Sequence, residues 1–165
     1  MRSELTALVG NKGGTLADRL VALKAVLDEL GVPLKIDSVQ DRLVVQKAIY
    51  LAQTKVPLGY SYGWYLKGPY SPRLTRDYYE FSQASLSSTS HDLKDSVRAL
   101  LKSVKELIGQ KPSEATLAQW LELLASIHYL KQYWSLDKAG VVQKIGETKP
   151  HLNHLVDSGW SALQH

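Results

Sequence analysis

Leucine recurs at four- and three-residue steps near the start of the chain, at Leu16, Leu20, Leu23, Leu27 and Leu30, until Gly31 and Pro33 break the run. That period places the leucines on one face of an α-helix. Thr15, three residues ahead of Asp18, supplies a start signal for it. The next stretch, VQDRLVVQKAIYLAQTK, follows Asp37 and Ser38, either of which can cap a helix. Its apolar positions, Leu43, Val44, Val45, Ala48, Ile49, Leu51 and Ala52, spread around most of the helical circumference, which predicts a helix central to the core. Pro57-Leu58-Gly59 then turns the chain into Tyr60–Leu66, where rough alternation and aromatic enrichment predict one short strand.

Ser71 and Pro72 open a third helix, with a hydroxyl at the N-cap and proline at the first helical position, where its missing N–H costs nothing. Leu74, Tyr78 and Phe81 give its buried face. SQASLSSTS, Ser82 to Ser90, has the composition of a linker and predicts a hinge or flexible loop. Leu93, Val97, Leu100, Val104 and Leu107 mark a fourth helix ending at Gly109. Ser113 after Pro112 caps a fifth, with Leu117, Trp120, Leu121, Leu124 and Ile127 on one side and Trp134 near its end. Short helices are expected around Val141–Ile145 and His151–Leu163, separated by Lys149-Pro150. There is no internal repeat or heptad array. The pattern predicts a mainly α fold: a single helical domain over residues 15–165, with about six to seven helices, one short β element near residues 60–66 and a flexible lead-in over residues 1–14.

Composition adds limits. At 165 residues and 44% hydrophobic, the chain can bury a substantial core. The absence of cysteine excludes disulfides, thiolate metal sites and a cysteine nucleophile, and is compatible with a reducing compartment. No apolar run approaches the roughly 20 residues of a membrane helix, and MRSELTALVGNKGG lacks the apolar core of a secretory signal. A soluble cytoplasmic protein is the expectation. The net charge of +4 is too small to imply nucleic-acid binding by itself, but residues 35–80 hold seven basic against four acidic residues, most of the excess.

Candidate chemistry is sparse. His151, His154 and Asp157 follow at three-residue steps, so they can share a helical face and offer metal ligands; solvated surface is the plainer reading, and no cofactor is expected. His128, among Ile127, Tyr129 and Leu130, reads as a hydrogen-bonded packing histidine. Asp77 and Glu80 stand one helical turn apart, where paired carboxylates can divide acid and base roles, but ion pairing with Arg73 and Arg76 is favoured. The glycine-rich GNKGGT lacks a preceding strand and phosphate-loop spacing, and no hydrolase, nucleotide-binding or zinc-protease motif occurs. The chain is not expected to be an enzyme.

The least ordinary stretch is YSYGWYLKGPYSPRL, Tyr60 to Leu74: eight of the 14 aromatic residues lie between Tyr60 and Phe81. Free N–H groups at the start of the Ser71 helix, with Lys67, Arg73 and Arg76 near them, have the physics of an anion site, and the rings can stack on bases or pack on a partner. The competing reading turns Tyr62, Trp64 and Leu66 inward and leaves the basic residues as solvated surface. Both remain open on the residues alone.

RLVVQKAIYLAQ followed by YSYGWYLKGPYSPRLTRDYYE resembles the YwgA-like proteins, through Gln46, Lys47, Tyr50, Leu51, Gln53, Tyr62, Tyr65, Gly68, Pro69, Tyr70, Ser71, Leu74 and Asp77. It is similar, more distantly, to the Panacea antitoxin domain of the SocA type. The likeness covers residues 40–82. It implies a small helical protein of bacterial or phage origin, without known enzymatic activity, encoded beside toxin or antiviral-defence genes and acting by binding another protein. The expected function is therefore a non-catalytic module that binds and regulates a partner protein, with Tyr62, Trp64, Lys67, Tyr70, Arg73, Arg76 and Asp77 as the contact residues. The alternative is a nucleic-acid-binding accessory protein, with Lys47, Lys55, Lys67, Arg73 and Arg76 on phosphates.

Overall fold

The computed structural model describes residues 16–83 and 93–164. Thr15, the expected lead-in over residues 1–14 and residues 84–90 of the expected hinge lie outside them; residues 82 and 83 end a helix instead. Seven α-helices and one antiparallel hairpin occupy the described residues, the mainly α architecture that the apolar periodicity predicts. In order they are α1 (Leu16–Leu30), α2 (Val39–Gln53), β1 (Gly63–Tyr65), β2 (Gly68–Tyr70), α3 (Pro72–Gln83), α4 (Asp95–Gly109), α5 (Leu117–Tyr133), α6 (Lys138–Thr148), a 3₁₀ segment (Pro150–Leu155) and α7 (Val156–Leu163). Among the described residues no helix is long and apolar enough to cross a membrane.

α2 and α5 form the centre. α5 is buried without interruption from Trp120 to Ile127, and α2 is buried at Leu43 and from Val45 to Ala52. α1 covers one side of α2 and also meets α3 and α4, while α6, the 3₁₀ segment and α7 pack on α5. The α1 leucines Leu20, Leu23 and Leu27 are essentially inaccessible, and each stabilises the fold by roughly 1.5–3 kcal/mol through burial. Because α2 is enclosed on nearly every side, its polar residues Gln46 and Lys47 are carried inside with the apolar ones. This is the feature of the fold that creates the site.

Local signals place most helix starts. Ser38 caps α2, accepting from the Asp41 amide at 3.0 Å while the Asp41 carboxylate accepts from the Ser38 amide. Ser71 caps α3 through the Leu74 amide. Three expectations are corrected. α5 is capped by Thr116, reciprocally with Gln119, and not by Ser113. α4 turns Val97, Leu101, Val104 and Ile108 inward, leaving Leu100 half-exposed, so its buried stripe runs one residue past the one read from Leu100 and Leu107. The single strand expected at residues 60–66 is a hairpin in which Trp64 faces Pro69 and Tyr65 faces Gly68, with Gly68-Pro69-Tyr70 as its second strand.

Candidate interaction site at the aromatic hairpin

Four side chains clamp the hairpin to the helices. Gln46 and Gln53 lie seven residues apart on α2, hence on one face. Gln53 accepts from the Tyr60 amide at 3.0 Å and donates to the Tyr60 carbonyl at 2.7 Å. Gln46 does the same for Ser71, both bonds at 2.9 Å. One glutamine therefore replaces a sheet partner on each side of the hairpin. Between them, Lys47 donates to the Pro69 carbonyl, and Lys149 donates to the Leu66 carbonyl at 2.7 Å. The Tyr62 hydroxyl adds a bond to the Gln46 carbonyl at 3.0 Å.

Both lysines are only 1% exposed. Glu122, also buried on α5, is their counter-charge, with its carboxylate 3.9 Å from the Lys149 ammonium and 3.1 Å from the half-exposed His151 ring. Burial pushes Lys47 down to about 7; Glu122 opposes that shift and Lys149 adds to it. Lys149 is lowered for the same first reason, burial. Gly68 crosses this cluster with φ +92°, and a Cβ there would fall 2.6 Å from the buried Ser126 hydroxyl, which has no hydrogen-bond partner among the described residues. Only glycine satisfies both the backbone sign and the closeness.

The hairpin has two faces. Trp64 meets Tyr129 of α5 at 5.6 Å and Trp134, just beyond it, at 5.5 Å between ring centroids; Tyr129 stacks on Tyr133 at 4.7 Å. Lys149 lies 5.3 Å from the Trp64 ring and Lys144 5.1 Å from that of Trp134. On the other face Tyr65 meets Tyr70 edge to face at 5.2 Å. Leu66 stands 85% exposed at the tip, with Tyr133 at 64%, Tyr65 at 50% and Trp134 at 41%. The result is a connected aromatic surface around a clamped turn.

Of the expected contact residues, Trp64 and Tyr70 are half-buried at the hairpin, and Lys67, Arg73 and Arg76 are exposed. Leu66 is exposed rather than turned inward. Asp77 is a correction: it is buried, receives the Arg19 guanidinium at 2.8 Å and accepts from the Tyr60 hydroxyl at 2.6 Å, so it joins α3 to α1 and does not pair with Arg73 or Arg76. Tyr62 is also held from within, by Gln46 and by the Tyr50 ring at 5.1 Å. Two expected phosphate contacts fall away from the hairpin surface. Lys47 is enclosed, and Lys55 lines a separate cleft with Ser103, His128 and Leu163. His128 takes its expected packing place, its Nδ1 2.7 Å from the Tyr50 hydroxyl. His151 is drawn to Glu122 and Asp157 to Lys138, so the His151–His154–Asp157 face is not brought together; among the described residues no group of three metal-ligating side chains exists. Trp134, Tyr133, Glu122, Ser126 and Lys149 are the participants that local spacing misses, because what joins them is contact between α5, the start of the 3₁₀ segment and the hairpin.

The chain matches no family model, no curated protein and no solved structure.

Proposed function

We propose that the protein is a non-catalytic interaction module that binds and regulates a partner protein through the hairpin tip and the adjoining Trp64–Trp134 surface. The observation that carries this reading is that Leu66 and Tyr65 are exposed on a turn that six side-chain-to-backbone bonds from Gln46, Lys47, Gln53 and Lys149 already fix, beside the exposed Tyr133 and Trp134 at the end of α5. Exposed aromatic and aliphatic groups on an ordered turn lose little conformational freedom on docking, and Trp and Tyr are the residues that dominate interface energetics. The exposed Lys67 next to Leu66 favours a partner with acidic residues at the rim. The biological setting, a toxin–antitoxin or antiviral-defence system, rests on the resemblance of residues 40–82 to YwgA-like and Panacea sequences. Nucleic-acid binding is the second reading, favoured by cations next to rings at Lys144 and Trp134.

Site-directed photocrosslinking tests the first reading. A crosslinking amino acid at Leu66 or Trp134 yields one discrete protein adduct that survives nuclease, and the same group at exposed Lys105 on α4 yields none. Adducts that vanish with nuclease transfer the surface to the second reading; equal adducts from all three positions reject both.

A further inference from the structure

The hairpin's other face borders a cleft of about 210 Å³ between α2, β2 and α3. We propose that this cleft binds a small carboxylic acid with an apolar or aromatic body. The site is separate from the Trp64–Trp134 surface, and the inference does not depend on it.

The hydrogen bonds at its wall leave a donor unspent. The Ser71 amide must find an acceptor and takes Gln46 Oε1, which fixes the Gln46 amide so that its Nε2 donates to Thr75 Oγ1 at 2.9 Å. Thr75 Oγ1 also lies 2.6 Å from the Tyr70 hydroxyl and 3.2 Å from the Tyr78 hydroxyl. A hydroxyl has one proton and two lone pairs. Gln46 occupies one lone pair, so Thr75 can accept from only one of the two tyrosines, its own proton going to the other or to the Ser71 carbonyl 3.4 Å away. The tyrosine that does not donate to Thr75 keeps its proton, and nothing among the described residues accepts it. Both tyrosines line the cleft.

Everything else polar there points the same way. Arg42, Lys47 and Lys67 line the cleft and no carboxylate does. Arg42 spends one guanidinium donor on the Ile36 carbonyl and keeps others, while the enclosed Lys47 is held to Pro69 behind the wall. The unspent hydroxyl proton and the further Arg42 donors select an acceptor, and the Arg42 and Lys67 cations select a negative one. The remaining lining, including Val39, Leu43 and Tyr79, is apolar or aromatic, so the anion needs an apolar body and not a second charge. At about 210 Å³ the space falls below the roughly 300 Å³ at which pockets for drug-sized ligands begin, which limits that body to about one ring or a short chain.

The test titrates the intact chain with benzoate, phenylpropionate and hexanoate, each beside its primary amide, by calorimetry and by ¹H–¹⁵N NMR. A peptide ending in phenylalanine, with a free or an amidated terminus, forms a further arm. The acids bind saturably, perturb the amides of Tyr70, Thr75 and Lys67, and bind about tenfold or more tightly than their amides, the difference expected of a charged hydrogen bond. Tighter binding of the peptide acid identifies a chain terminus as the source; tighter binding of the free acids identifies a small metabolite. Lys67→Gln, at an exposed position where folding is unaffected, weakens binding and its salt dependence, and one of Tyr70→Phe and Tyr78→Phe weakens it about tenfold. Absence of binding by every acid, amides that bind as well as acids, or unchanged binding in all three variants overturns the proposal.

Discussion

Lys47 sits in surroundings far from those of an ordinary lysine. Its ammonium is favoured by about three pH units less in the folded chain than in the unfolded one, since burial brings it from 10.5 to about 7. Between those values the unfolded chain binds more protons, so stability rises with pH from about 7 upward; Lys149, lowered in the same way, adds to the climb. Tyr50, Tyr60, Tyr62 and Tyr78 act oppositely: burial first of all raises each above 10, so ionisation of the unfolded chain erodes stability beyond that point. Denaturant midpoints measured across this range therefore climb and then fall. Lys47→Met removes most of the climb; a wild-type profile that is flat above pH 7 contradicts the buried-lysine account. A second residue-scale prediction concerns Gly68. Gly68→Ala costs about 2–3 kcal/mol, from a positive φ and the clash with Ser126 Oγ. Ser126→Ala in the same chain recovers part of that loss, and a double-mutant cycle measures how much. Neither behaviour is visible from the sequence. Lys47 looks like one more cation in a basic stretch, and the groups that act on its charge, Glu122 and Lys149, lie far along the chain.

At the scale of elements, the helices were legible because their information is local. Ser38 and Ser71 cap where their side chains predict, and the leucine period of α1 and the all-round apolar pattern of α2 both describe the packed faces. The hairpin was half legible. Aromatic alternation marked β1, but Pro69 argues against a strand unless its missing N–H lies on an unpaired edge, and in a two-stranded hairpin each strand has one. The α4 face was misjudged by one position because Leu100 and Leu101, and Leu107 and Ile108, are equally apolar, so only packing against α1 chooses between them. What holds the hairpin in place was not legible at all: Gln46 and Gln53 carry the resemblance to YwgA-like sequences, yet their task appears only when both are seen clasping backbone. Gln46→Leu removes the partners of the buried Ser71 N–H and C=O and costs about 2–5 kcal/mol. Trp64 fluorescence in a urea titration detects it as early loosening of the hairpin. A single transition at the wild-type midpoint means that the clamp contributes nothing.

At the scale of the whole molecule, the seven helices among the described residues share a core that holds one short turn in place and leaves its apolar tip outside. The fold positions two different surfaces on that turn, an aromatic one toward Trp134 and a donor-rich cleft toward α3. Of the seven contact residues that the sequence proposes, two, Tyr62 and Asp77, are tied into the interior and five remain at or near the surface, joined by Trp134 and Leu66 from outside the expected set. The measurement that addresses the central claim most directly is the affinity of the crosslinked partner for wild-type protein and for Leu66→Ser with Trp134→Ala, at low and high salt. The account predicts a loss of at least about thirtyfold in the variant, as for one strong interface residue, with thermal stability unchanged and only weak dependence on salt. Equal affinities for the two proteins, or binding that disappears with salt while the variant behaves as wild type, would contradict it.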